Sequence, residues 1–495
     1  MARLSPGTLR DVPPAVRRPG YDRARLNVGM AHIGVGAFHR CHQAEFTDDA
    51  LEAEFGPWGS IGINIRDPLL RPTLGAQQGL YSRTLSDEDQ VETRIIGCMR
   101  EAIDAQNDSE LAIAALAAPR IKLVTMTVTE KGYCHFPSTG ALNPDHQDIV
   151  HDLGRHAKPR SVPGIVVEAL RRRRDTHAGP ITLMSCDNIP SNGRILHSVV
   201  TTLAAQKYPD LNAWIADNVR FPSAMVDRIV PATSEADIAY AAETCEVEDS
   251  VPVVGEPFRQ WVIEDDFAAA RPRWDLAGVE FVTDVEPYEF IKMRVLNGAQ
   301  TAMSYFGALA GIGHTFEDVR DPIIARFVRH MLEHETAPNL PKGAMDVPSY
   351  IDLTFKRLLN SSVRHRNHQI ATDGSQKIVQ RLLNPIRFCI ARGMSYDFLA
   401  AATAAWMAYL LAASPKFGAR WEPSDPWAET IRKIGDEIGL NSVMLAGRIM
   451  GIEAIFGTDL LSDAALTQSI ARHLNGLLLG DSQQHLNAML STAAA

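Results

Sequence analysis

Gly29-Met30-Ala31-His32-Ile33-Gly34-Val35-Gly36-Ala37-Phe38-His39-Arg40 carries the argument for the fold. A short apolar run ends in G-x-G and a helical stretch follows. That is where a dinucleotide-binding fold needs its glycines. Gly34 permits the tight turn, Gly36 lets backbone approach a pyrophosphate, and the helix N-terminus receives its charge. Ala37 and Phe38 continue the same loop. The customary third glycine is replaced by His39, and a G-x-G alone is more often a structural turn; its place after the first strand is what points to a cofactor.

Outward from this loop the text has two rhythms. From residue 26 to about 285, β-branched runs alternate with longer helical segments, as expected of a parallel sheet with crossover helices. The runs are 27–35, 60–65, 121–129, 180–185 and 224–230, with 251–254 and 279–283 as further strand candidates. Several lack alternation, which suits strands buried on both faces. After 285 the β-branched runs stop, and 290–310, 322–335, 396–412 and 441–455 favour helix. The expectation is α/β: a Rossmann-type N-terminal domain over 1–284 with a mostly parallel sheet, then an all-helical C-terminal domain over 285–495. A chain of 495 residues needs at least two cores.

Asp67, closing Gly62-Ile63-Asn64-Ile65-Arg66-Asp67, is the candidate acid for the adenosine ribose and points to NAD. Arg66 beside it suits a 2′-phosphate, so NADP stays open.

Composition removes several classes. A formal charge of −10 argues against nucleic acid as a partner. No run approaches a membrane span. Residues 1–21 lack the apolar core of a secretory signal. Six scattered cysteines without a C-x-x-C pair read as reduced thiols in a cytoplasmic protein. The four arginines 171–174 read as a solvated helix C-terminus favoured by the macrodipole. His330 and His334 have zinc-compatible spacing, but the glutamate of H-E-x-x-H is misplaced and no third ligand is evident, so the chemistry is read as metal-independent. Neither a G-x-S-x-G elbow nor a G-x-x-x-x-G-K-[ST] loop occurs. The oligomeric state is open, and a monomer is compatible with the sequence.

Within Glu289-Phe290-Ile291-Lys292-Met293-Arg294-Val295-Leu296-Asn297-Gly298-Ala299-Gln300, the residues Glu289, Lys292, Leu296 and Gln300 recur at steps of three and four. On a helix they share one face, with Asn297 at its edge and Arg294 opposite and solvated. Gly298 costs about 1 kcal/mol against alanine in mid-helix, which suggests close approach of a ligand or backbone. A lysine among apolar neighbours loses proton affinity by desolvation and suits a general base, with nearby amides holding an alkoxide. Spacing alone favours a snorkelling surface lysine, with Asn297 bonding back to its own helix. Asn188, in Ser185-Cys186-Asp187-Asn188-Ile189-Pro190, is a second amide source at the end of a predicted parallel strand, or part of an ordinary turn.

Together these segments resemble the polyol-specific long-chain dehydrogenase family, of mannitol 2-dehydrogenase and fructuronate reductase type. Besides the blocks already quoted, Thr127-Val128-Thr129-Glu130-Lys131-Gly132-Tyr133, Met225-Val226-Asp227-Arg228-Ile229-Val230-Pro231 and Asp373-Gly374-Ser375-Gln376-Lys377 carry the likeness. They keep family order across nearly the whole chain. The resemblance implies Lys292 as general base, Asn188 and Asn297 as amides that polarise the reacting oxygen, and Glu289 as a proton carrier to solvent. It places Asp227 near the cofactor and Lys377 near the substrate.

One departure stands out. The family's K-x-x-x-x-N-x-x-H ends here in Gln300, which can hydrogen-bond a substrate but cannot titrate near neutrality. The segment 364–372 looks nearer to the fructuronate reductase branch. The expected activity is NAD-dependent interconversion of a secondary alcohol and a ketone on an open-chain sugar acid or polyol. A turnover-impaired cofactor-binding sensor of sugar acids or redox state is the alternative.

Overall fold

The computed structural model describes residues 1–136, 139–154, 158–479 and 482–493. Among them are twelve strands: β1 Val28–Ile33, β2 Gly59–Asn64, β3 Tyr81–Ser86, β4 Val91–Ile96, β5 Met99–Asp104, β6 Leu123–Met126, β7 Ile181–Ser185, β8 Val219–Arg220, β9 Ala224–Asp227, β10 Val253–Gly255, β11 Gln260–Glu264 and β12 Glu280–Val282. The chain divides into two units, Met1–Glu286 and Pro287–Ala495.

In the first unit, six strands form a sheet in the order β5-β2-β1-β6-β7-β8, every pairing parallel. Counted within the sheet this is 3-2-1-4-5-6, the Rossmann order, whose direction reverses between β1 and β6. Both faces are covered, which explains the absence of alternation. Ala31, Ile33, Val124, Met126 and Leu183 join one core with helices Ser109–Ala117, Val162–Asp175 and Asn192–Lys207. Met30, Leu123 and Met184 join another with Phe46, Trp261 and Trp274.

Two expectations need correction. The run 224–230 does not join the parallel sheet. Its strand β9 pairs antiparallel with β11 in a separate sheet β12-β11-β9. The edges of the main sheet are β5 and β8. The first carries the charged Arg100 and Glu101, as sheet edges commonly do, and the second is two residues long. The hairpin β3–β4, which the sequence pattern did not signal, forms a third sheet with β10, which overlaps the predicted run 251–254.

The second correction concerns the arginines 171–174. Arg173 is fully buried, and its guanidinium donates to the carbonyls of Leu116, Ala118, Ala178, Gly179 and Pro180. It ties two chain turns to the end of the Val162–Asp175 helix. Arg171 and Arg172 do face outward, paired with Glu168, Asp175 and Glu110.

The second unit is helix-rich, with no strand named among its described residues. Its helix Asp397–Leu411 is buried on every side from Phe398 onward, which explains a composition apolar all round rather than striped. The predicted run 441–455 is two helices, Ser442–Met450 and Glu453–Leu461, broken at Gly451.

Candidate active site

The first glycine turn lies at the C-terminal ends of β1 and β6, at the reversal of strand order. Gly34 has φ +91°, and a Cβ there would stand 2.0 Å from the Thr127 carbonyl oxygen. No side chain fits. The Gly34 N–H donates to the Ile63 carbonyl at 2.8 Å and the Val35 N–H to Asn64 Oδ1 at 2.8 Å, so β2 holds the loop open. Gly36 differs: nothing lies within 4 Å of the position its Cβ would take. That space belongs to a cavity of about 300 Å³ walled by Gly34, Gly36, Asn64, Asp67, Thr127 and Arg160, among others. Glycine backbone on one side and a carboxylate after β2 on the other fit a dinucleotide.

The helix that follows is shorter than expected. It spans Ala37–Cys41 and breaks at His42 before Gln43–Ala53. Phe38 packs on the His42 ring, at 5.0 Å between centroids, rather than on the cavity. His39 occupies the third-glycine position by stacking on His32. Strand register sets His32 opposite Thr125, whose hydroxyl is 2.7 Å from His32 Nδ1. His32 Nε2 lies 3.1 Å from the Gly34 carbonyl, which can only accept, so Nε2 carries the proton. Burial pushes the His32 pKa down to about 3, and the imidazole beneath the loop is neutral.

Asn188 is exposed on the loop after β7. Its neighbours fix that loop. Asp187 accepts from the Val128 and Thr129 N–H groups, each at 2.9 Å, and from the Tyr133 hydroxyl at 2.6 Å. Burial pushes the Asp187 carboxyl up to about 6. Asn192 Nδ2 donates to the Asp187 and Ala224 carbonyls, at 3.0 and 2.7 Å, and clamps the other side. The 127–133 and 185–190 motifs are thus one interlocked structure, and Asn192 is a positioning residue that its sequence context did not mark. Asp227 is buried on β9 opposite Gln260 and does not wall the cavity.

In the second unit the lysine segment is helical over Glu286–Ala310. Lys292 is 4% exposed and Gln300 7% exposed, so neither is a surface side chain. Glu289 is half-buried one turn before the lysine. Asn297 Oδ1 is buried without a hydrogen-bond partner among the described residues. An orphaned amide oxygen costs about 1–3 kcal/mol, and a water or a substrate group would satisfy it. Arg294 is not solvated as expected: its Nη1 donates to Asn339 Oδ1 at 2.8 Å and its guanidinium covers the Phe290 ring.

The backbone near Gly298 is that of Arg381, whose carbonyl would lie 3.7 Å from an added Cβ, an ordinary contact. Arg381 Nη1 donates to Thr301 Oγ1 at 2.9 Å, which brings a second buried cation to the lysine helix. Nothing in the local sequence marked it. Lys377 Nζ donates to the carbonyls of Thr372 and Ile370, at 2.5 and 3.3 Å. Burial and then Lys377 push the His365 pKa down to about 4. Gly374 in the same block is required by packing, because a Cβ would meet Tyr305 Oη at 2.2 Å. The His330 and His334 rings pack edge to face at 4.2 Å, and among the described residues no group of three or more His, Cys, Asp or Glu is disposed to hold a metal. None of the described helices is long and apolar enough to cross a membrane.

Comparison with known proteins accords with this geometry. Residues 28–276 match the family model described as the mannitol dehydrogenase Rossmann domain, and residues 284–478 that described as the mannitol dehydrogenase C-terminal domain. The D-mannonate oxidoreductase of Escherichia coli (strain K12) is 39% identical over 464 residues, 92% of this chain and 94% of that one. An uncharacterized oxidoreductase of the same strain, YeiQ, is 38% identical over 461 residues, 93% of this chain and 94% of that one. The solved structure of Pseudomonas fluorescens mannitol 2-dehydrogenase, a ternary complex with NAD and D-mannitol, has TM-score 0.90 at 33% identity, covering 99% of both chains.

Proposed function

The chain belongs to the mannitol dehydrogenase family of oxidoreductases, and on that premise we propose that it interconverts a secondary alcohol and a ketone on an open-chain sugar acid or polyol, with NAD as its redox partner. The observation that carries the reading is the burial of Lys292 on the same helix as the unpartnered Asn297 Oδ1. A snorkelling lysine would keep its head in water, and this one does not. The proposal assigns dinucleotide binding to 1–284 and substrate binding to 285–495. Buried unpaired cysteines among the described residues suit a reducing compartment, and we place the protein in the cytoplasm.

When bound, nicotinamide supplies the carbon that accepts or donates the hydride. Lys292 Nζ takes the proton of the substrate hydroxyl in oxidation and returns it in reduction. Asn188 and Asn297 donate amide hydrogens to the oxygen as its charge develops. Asn297 Oδ1 accepts a neighbouring substrate hydroxyl. Glu289, one turn from Lys292 and partly open to solvent, passes the proton on. Gln300 and Lys377 orient the chain of hydroxyls. Gly34, Gly36, Ala37 and Phe38 form the diphosphate loop, Asp67 takes the adenosine ribose, and Asp227 supports the nicotinamide end.

The test is a turnover assay with hexitols, pentitols, mannonate, fructuronate and tagaturonate, run with NADH or NAD on wild-type protein and Lys292→Ala. Loss of at least about a hundredfold in kcat is expected, the ordinary contribution of a general base. Near wild-type turnover in the variant would refute the role of Lys292. Cofactor binding without turnover on the whole panel would favour a sensor instead.

A further inference from the structure

Behind the dinucleotide cavity lies a second one of about 560 Å³, lined by polar groups that include Asn107, Ser109, Asp148, His151 and Lys158. The two cavities share Ile65, Arg66 and Arg160, so these residues form the wall between them. Arg66 directly precedes Asp67, so the wall stands where the adenosine ribose and any group on its 2′ oxygen would arrive. A cation there would ordinarily welcome a 2′-phosphate.

Arg66 is already engaged. Its Nη2 lies 3.0 Å from Asp148 Oδ2, with the Arg66 side chain 72% and the Asp148 side chain 16% exposed. Asp148 comes from a different part of the chain, the helix Gln147–Asp152, whose first turn it occupies. Two further basic groups of the second cavity are engaged, Lys158 Nζ at 3.2 Å from Asp108 and His151 Nδ1 at 3.0 Å from Asp152, while the Arg160 side chain is exposed at the shared wall. The Arg160 N–H donates to Asp152 Oδ1 at 2.8 Å, which fixes the backbone of the shared wall. Arg66 thus precedes one carboxylate in sequence, Asp67, which accepts from the Leu69 N–H, and pairs with another, Asp148.

We propose that Asp148 is a cofactor-specificity residue: by pairing with Arg66 it withholds the cation next to Asp67 from a 2′-phosphate monoester and adds a second negative charge beside it, so the site rejects NADP in favour of NAD. The inference rests on the dinucleotide reading above. Asp148 acts through Arg66 and is a positioning residue. Asp67 alone would repel a 2′-phosphate only weakly with Arg66 free to move beside it. The pair, rather than either residue, sets the preference.

The experiment is fluorescence titration of the full chain with NADH and with NADPH, giving two dissociation constants for wild type, Asp148→Asn, Arg66→Gln and the double variant. In Asp148→Asn the ratio of the NADPH constant to the NADH constant should fall about tenfold, the size of one charge-assisted hydrogen bond gained. In the double variant the ratio should return to that of Arg66→Gln alone. Asp148→Ser serves as a second substitution with the same expected direction. An unchanged ratio in both Asp148 variants, or a gain that persists without Arg66, overturns the proposal while leaving the dinucleotide reading intact. Absence of binding of either nucleotide to wild-type protein overturns both.

Discussion

His32 and His39 stack face to face beneath the glycine turn, their ring centroids 3.4 Å apart and their planes at 13°. Two imidazoles this close cannot both be charged, and burial depresses both. The stack does the packing that the missing third glycine does elsewhere. It is neutral filling under the glycine turn.

That neutrality has a pH consequence. His32 and His42 are pushed down to about 3 by burial, whereas in the unfolded chain each titrates near 6.5. Between those values the unfolded state binds more protons, so stability falls as pH falls from about 6.5 toward 3, by up to about 1.4 kcal/mol per pH unit per group. Thermal unfolding followed from pH 7 to pH 5 should show a falling midpoint. His42→Gln should lower the midpoint at pH 7, by lost packing, but give a shallower slope.

The two loop glycines should separate stability from binding. Gly34→Ala sets a Cβ 2.0 Å from a backbone oxygen at φ +91°, and should cost at least about 2 kcal/mol of stability. Gly36→Ala meets nothing in the protein, so its melting midpoint should stay close to wild type. Its methyl enters the cavity, and NADH affinity should weaken by about tenfold or more, as binding loses backbone approach. Calorimetry and NADH titration on both variants check this. Equal effects on both readouts would contradict the division.

Arg173 and Arg171 stand two residues apart but should behave differently. Arg173→Met removes the donor to five carbonyls and should destabilise by about 3 kcal/mol. Arg171→Ala breaks partly exposed pairs with Glu168 and Asp175 and should cost about 0–1 kcal/mol. Denaturant midpoints decide it, and a larger loss for Arg171 would be inconsistent with the burial pattern.

Asp318 tests the opposite pH sign. Burial pushes its carboxyl up to about 8, against about 3.9 unfolded. The folded state therefore holds the extra proton between those values, and this group's contribution to stability falls as pH rises through them. Asp318→Asn, which keeps the shape facing Asn367, should melt higher relative to wild type at pH 9 than at pH 5. The same difference at both pH values would mean that the carboxyl is not neutral in the fold.

Much of the site is legible in the order of residues alone. The G-x-G turn depends on backbone dihedrals, and Gly34 at φ +91° is a local requirement that a sequence states openly. The helix Glu286–Ala310 announces itself by a period that survives any packing. The change of rhythm near 285 marks the passage from α/β to helical text. Less legible are residues whose roles depend on distant partners. Arg294 and Arg173 read as solvated because arginine usually is, and only Asn339 and the carbonyls around Arg173 say otherwise. Strand β9 looks like its parallel neighbours because a buried strand has the same composition in either sheet.

What the sequence determined by itself was the fold class of each half, the glycine turn, and the face shared by Glu289, Lys292 and Gln300, since dihedral preference and periodicity are properties of neighbours along the chain. Tertiary structure alone decided that Lys292 is buried, that Asn192 clamps the Asp187 loop, and that Asp148 reaches Arg66. Burial and pairing belong to surfaces that meet only on folding, and residues 82 apart carry no local sign of their meeting.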